Sequence, residues 1–489
     1  EIAEAGAVSA FVNWLVDPTL GPPDVAARAL SEIALDTADT QAQIAEEGAI
    51  EPLVAMLWSG LPPREERRSS LVKAINSVMT LTGIVDQFKK PGAGGERRGS
   101  ETIKSELLSS AMTEALVQSA GAGATASAGG VLGGGGNSNH PNAGAVIGGV
   151  FAKLQHSGSL APTGGAVRST AMLKQANMAA GALATLAKDN TINQITIAEE
   201  GGIPPLVELL KGPPGAHENA TCALWHVAAF EDNQTAIARA GGIALLIPLL
   251  TVAHGSLTQQ YATAAVEALS RNHTENQIAL AKAGAITPLV TLLGSESAET
   301  QVHAVGALLY LASSDEESRN KVVNKLVAVL DVRNAAAQMK AAEALAVLAG
   351  RSSDNRKAIT TAQAIEPLVR LLGDGRRVRT ATPQERAAAV LCDLARSGEN
   401  KVAIVESGGV KPLVAMLSSD SPEAQTHSAG ALCHIAAIGK NKAVISSSGA
   451  IEPLVELIRS GSEIARRHAA GALWQLAAST DNKVAMVQA

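Results

Sequence analysis

The chain has 489 residues, with 40 Lys and Arg against 46 Asp and Glu and a net charge of −6, which argues against a general nucleic-acid binder because such proteins carry a basic excess. Three cysteines far apart (Cys222, Cys392 and Cys433) exclude a disulfide framework and fit a reducing compartment, and no apolar run is long enough to span a membrane. Four Phe, four Trp and two Tyr are too few to fill a core of this size, so Ala, Leu, Val and Ile must build it, and their small volumes suit close helix packing.

In chain order the dominant feature is a repeat. The string EEGAIEPLVAML at 46–57 returns as EEGGIPPLVELL at 199–210, RAGGIALLIPLL at 239–250 and KAGAITPLVTLL at 282–293. It returns again as ESGGVKPLVAML at 406–417 and SSGAIEPLVELI at 447–458, with weaker copies at 4–15, 320–330 and 361–372. The marker glycines are Gly6, Gly48, Gly201, Gly241, Gly284, Gly408 and Gly449, with Lys321 and Gln363 at the equivalent sites of the two copies that lack one. Apart from one step of 153 residues, the spacing is 37 to 45.

Each unit carries a second motif, such as AGALATLA at 180–187, AGALCHIA at 429–436 and AGALWQLA at 470–477, whose Leu and Ala recur at the period of one buried helix face. A third, short segment opens at Asn400 and Asn441, where Asn before an apolar run predicts a helix start. The marker Gly predicts a left-handed helix stop. The Pro at 52, 205, 288, 367, 412 and 453 predicts the first turn of the next helix, where a missing N–H costs nothing.

Short helix, helix, longer helix in about 40 residues, with the markers G-A/G-I-x-P-L-V-x-L-L and A-x-A-L-x-x-L-A, resembles the armadillo repeat. The resemblance covers residues 1–83 and 169–489. It implies an all-α fold, a right-handed superhelical solenoid of three helices per unit and about 9–11 repeats, the first and last truncated. Residues 84–168 hold 18 of the 45 glycines and read as a Gly-rich flexible insertion containing degenerate repeat helices, the last of them a third helix at 168–187. Neither end carries a polar capping repeat, so the expectation is a piece of a longer protein.

A search for chemistry returns no phosphate-binding loop, no zinc-protease pair, no nucleophile elbow and no cysteine pair at metal spacing. Ser70 and Lys73 have the S-x-x-K spacing but lie on an expected third helix. The expectation is therefore no enzyme, no cofactor and no metal.

In the armadillo family, extended peptides bind the groove lined by third helices. Aligned two residues after the A-L pair, that column reads Glu32, Ser77, Thr185, His226, Arg271, Tyr310, Val347, Asp393, His434 and Gln475. One turn earlier it reads Arg28, Lys73, Gly181, Cys222, Glu267, Gly306, Glu343, Ala389, Gly430 and Gly471. Importin-α-type proteins present Asn and Trp ladders there; here the first column has no Asn and the second no Trp, which weighs against nuclear cargo import. Seven residues before the first column, on the same helix face, stand His303, Lys340, Arg386, His427 and His468. Gly306, Gly430 and Gly471 predict close helix packing or close approach of a partner backbone.

The predicted partner-binding groove is therefore His226, His303, Tyr310, Lys340, Arg386, Asp393, His427, His434, His468 and Gln475. Its expected partners are extended or acidic protein segments, with no nucleic acid and no direct membrane insertion, in a cytoplasmic or cytoskeleton-associated assembly. Imidazoles that titrate near their ordinary value would strengthen binding of an acidic segment as pH falls from about 7.5 to about 6. The function expected is a non-enzymatic scaffold. The alternative is the recognition arm of a larger protein, such as a ubiquitin ligase or a motor.

Overall fold

A computed structural model describes residues 6–35, 37–61, 166–253, 255–373 and 383–488, and all the regular structure in them is helical. The described helices fall into two units, Glu1–Leu245 with Lys282–Gly284, and Leu246–Ala281 with Ala285–Ala489. In each, a short first helix leads into a second helix and then a third, and third helices of successive repeats pack side by side. In the first unit the third helices are Pro23–Ala34, Ala166–Ala187 and His217–Val227. In the second they are Leu257–Ser270, Ala298–Ser314, Ala335–Arg351, Pro383–Leu394, Pro422–Ala436 and Glu463–Leu476. Among the described residues each unit is thus an all-α stack of solenoid repeats.

The repeated residues do the folding work expected of them. All seven marker glycines have positive φ, Gly408 at +78°, a conformation that L side chains with a Cβ resist. Gln363 takes the same turn without being Gly, at φ +58°. The Pro of each PLV stands third in its helix, as Pro412 does in Val410–Met416. Third helices begin at capping side chains: Ser297, Asn334, Ser421 and Ser462 each accept a hydrogen bond from the N–H three residues on. Leu432 and Leu473 of the A-x-A-L motif are buried.

Three features differ from the sequence expectation. First, Asn400 and Asn441 do not start their helices, which begin earlier at Gly398 and Gly439. Each is the third residue, and its buried side chain reaches back to the end of the preceding third helix. Asn400 Nδ2 donates to Leu394 O at 3.1 Å and Asn441 Nδ2 to Ile435 O at 3.2 Å. The same bond recurs from Asn193 to Leu186 O, Asn233 to Val227 O, Asn276 to Leu269 O, Asn355 to Leu348 O and Asn482 to Leu476 O, at 2.8–3.0 Å. The Asn amide thus serves as a C-cap, satisfying a carbonyl left without a helical partner. The next residue often caps a second carbonyl, as Gln194 does at Ala187 O and Arg356 at Ala349 O.

Second, the repeat around Lys321 has no break. Glu316–Val329 is one continuous helix where three-helix units have a first and a second. With no Gly at the marker and a shorter spacing, the chain has no residue to supply the left-handed turn, so the two helices fuse.

Third, Ala166–Ala187 packs on both Pro23–Ala34 and Ile50–Ser59. Ser31 Oγ lies 2.9 Å from Thr185 Oγ1, Gln41 Nε2 donates to Thr185 O at 3.1 Å, and Lys174 pairs with Asp24 at 3.0 Å. This helix is therefore the third helix of the repeat opened by Ala38–Glu46 and Ile50–Ser59. The expected third helix around Ser70 and Lys73, the glycine-rich insertion and its degenerate repeats up to residue 165 lie outside the described residues.

Candidate functional site

Every predicted groove residue lies on a third helix and is half-buried. His226 belongs to the first unit. The other nine belong to the second, on five consecutive helices that pack in order: His303 and Tyr310, then Lys340, then Arg386 and Asp393, then His427 and His434, then His468 and Gln475. The small positions between them are filled by the neighbouring helix. A Cβ at Gly430 would come within 2.7 Å of Cys392 Sγ, one at Gly471 within 2.9 Å of Cys433 Sγ, and one at Gly306 would meet the Glu267 carboxylate. Helix packing therefore occupies the space in which a partner backbone was the other expectation.

The charged residues do not form a uniform cationic stripe. His303 Nδ1 lies 2.6 Å from Glu267 Oε2, Lys340 Nζ 3.1 Å from Glu343 Oε2, and Arg396 Nε 3.2 Å from Asp393 Oδ1. Glu267 and Arg396 were absent from the expected set. Glu267 lies in the second aligned column, whereas Arg396 stands three residues past the first column, beyond its helix, where periodicity gives no signal. In the first unit the Trp225 ring stacks on His226, with centroids 4.3 Å apart.

Four of the imidazoles are shifted below the ordinary value that the sequence expectation assumed. Burial holds His226 down at about 4, with Asp189 pulling weakly the other way. Burial also lowers His427, against the pull of Asp393 and Glu385. It lowers His434, helped by Arg396, His468 and Lys401, and lowers His468, helped by Arg467 and Arg396. His226 is thus neutral through the range from about 7.5 to about 6, and burial favours the neutral form of the other three rings, so protonation of these rings moves to lower pH. Burial pushes Cys392 up to about 12 and also raises Cys433, so both are thiols, not thiolates, at neutral pH.

A folded-state pKa below the unfolded one means that the unfolded chain binds more protons, so stability is full above about 6.5 and falls as pH drops. For His226, a shift from 6.5 to about 4 corresponds to a loss of about 3 kcal/mol by pH 4. Urea unfolding at pH 7 and pH 4.5 should show a steeper loss for wild type than for His226→Gln. Parallel losses in the two proteins would show that His226 does not exclude the proton.

The chain matches the family model described as Armadillo/beta-catenin-like repeat at residues 190–229, 273–313, 399–437 and 440–478. Each stretch holds one first, second and third helix in the order found above. These four stretches match the armadillo repeat that the sequence resembles. It is 37% identical over 120 residues to Vacuolar protein 8 of Candida albicans, a match that covers 24% of this chain and 20% of that protein. Among solved structures it resembles an engineered protein at 27% identity and TM-score 0.53, covering 96% of this chain and 98% of the other. A designed armadillo repeat protein is 26% identical with TM-score 0.39, over 48% of this chain and 99% of that one. The fused helix Glu316–Val329 falls outside the matched stretches, as expected of an armadillo repeat without its glycine turn.

Among the described residues no cluster of His, Cys, Asp and Glu could hold a metal ion, and no helix is long and apolar enough to cross a membrane.

Proposed function

We propose that the protein binds extended, acidic segments of partner proteins along the third helices of its second unit, and so organises those partners in the cytoplasm. The observation that carries this reading is the half-burial of nine aligned residues on five consecutive helices. Such side chains are held in place by their neighbours yet keep polar atoms facing solvent, which lowers the entropy cost of binding. Toward the end of the array the third helices carry Arg386, and Arg396 just past a helix end is paired with Asp393. The free, protonated thiols of Cys392 and Cys433 suit a reducing location.

The test is binding of a pool of acidic 15-residue peptides to wild type, to Arg386→Glu with Arg396→Glu, and to Arg370→Glu. Arg370 is on a second helix and pairs with Asp331 and Glu366. The double reversal should weaken binding at least tenfold, with a salt dependence that the variant lacks, while Arg370→Glu leaves it unchanged. Equal loss in both variants would move the binding surface away from the third helices.

A further inference from the structure

The seams between adjacent third helices of the second unit are close, with one exception. Leu257–Ser270 lies along Ala298–Ser314, and Ala335–Arg351 lies along Pro383–Leu394. Pro422–Ala436 is packed just as closely between Pro383–Leu394 and Glu463–Leu476. Ala298–Ser314 and Ala335–Arg351 approach each other far less, and the fused helix Glu316–Val329 packs on both of them. Two rows of side chains account for the difference. The first is the small position that admits a neighbouring side chain. At the close seams it is Gly306, Ala389, Gly430 and Gly471, and Glu267, Cys392 and Cys433 fill the space at the three glycines. At the open seam the same position is Glu343, whose carboxylate lies 3.1 Å from Lys340 of its own helix. A side chain of that size holds the two helix axes apart. The second row reaches the start of the next third helix. Glu385 Oε2 accepts from Ser421 Oγ at 2.9 Å, and Thr426 Oγ1 lies 3.3 Å from Ser462 Oγ. In that register Ala298–Ser314 carries Val302, which has no polar atom for such a bond and is 57% exposed.

We propose that this seam is a joint. It divides the second unit into two blocks, 257–314 and 335–476, that open and unfold separately, with Glu316–Val329 as the link between them. The missing glycine turn is what builds the link. One straight helix of 14 residues, about 21 Å long, stands where other repeats fold back through a first and a second helix. In a stack of repeats, cooperativity is carried by the interfaces between neighbours. A sparse interface passes little of a disturbance from one side to the other, and local opening on the two sides then has separate free energies. His303 and Tyr310 stand on one block, and Lys340 and the predicted groove residues after it on the other. Opening of the joint changes the distance between these two sets. The joint is a property of the packing and holds whatever the surface binds.

The experiment is amide hydrogen exchange of the whole chain, in wild type and in Leu345→Ala and Leu308→Ala. Each variant truncates a fully buried side chain on one of the two helices that flank the joint. In Leu345→Ala the buried amides of Pro383–Leu394 should exchange about tenfold faster or more, while those of Ala298–Ser314 change by less than about twofold. In Leu308→Ala the acceleration should reach Leu257–Ser270 and spare Ala335–Arg351. Equal acceleration on both sides of the substituted helix, in either variant, would overturn the joint. If a variant does not fold, wild type in urea below its unfolding midpoint decides the matter. Separate urea dependences for the buried amides of the two blocks support the joint, and one common dependence overturns it.

Discussion

Replacing Leu432 by Ala is expected to destabilise the second unit by about 2–5 kcal/mol. Leu432 is fully buried on Pro422–Ala436, a helix that packs on Pro383–Leu394, Val410–Met416 and Glu463–Leu476. The largest fully buried side chains are Leu and Ile, with no aromatic ring among them. A truncated Leu therefore leaves a cavity ringed by small side chains and helix backbones that cannot lean in to fill it. In a stack, stability is the sum of repeat terms and nearest-neighbour interfaces. Amides of the two flanking third helices should accordingly lose hydrogen-exchange protection before more distant ones. A stability change below about 0.5 kcal/mol, the usual surface value, would show that Leu432 does not fill the interface.

Asn233→Ala should cost about 1–3 kcal/mol, chiefly for leaving Val227 O without a donor. Its buried amide donates to Val227 O at 3.0 Å, the end of the preceding repeat's third helix, and to Gln194 O at 2.9 Å, in that repeat's first helix. One side chain thus caps a helix and ties two repeats together. Asn233→Asp preserves size but offers only acceptors to two carbonyl oxygens and buries a charge, so it should be worse than Ala at neutral pH. An Asp variant as stable as wild type would mean that the amide is not the donor. The seven equivalent asparagines make this a property of the repeat, and Asn400→Ala should cost less, because Leu394 O keeps a bond from Ser397 N while the bond to Thr360 Oγ1 is lost.

Much of the fold was legible from residue types alone, because its signals are local. A Gly at a helix end, a Pro in a first turn, a Ser before a third helix and a 3.6-residue apolar period each act within one turn of the chain. They located the solenoid, its repeat length and the helix face on which His303, Arg386, His434 and Gln475 stand. The Asn motif was visible too, yet its role was misassigned. Asn before an apolar run signals an N-cap, but here the carbonyls it satisfies belong to the helix before, and only the packed structure brings them within reach.

Three further properties depend on what lies beside each residue in space. Helix Ala166–Ala187 completes a repeat begun more than a hundred residues earlier, which spacing cannot show because chain distance and spatial distance part company there. The glycines at 306, 430 and 471 admit Glu267, Cys392 and Cys433 from the neighbouring helix, so whether their space faces a partner or the protein itself was a question of stacking. Residue spacing put histidines on third helices; burial bears on their charge, since desolvation between helices favours the neutral ring.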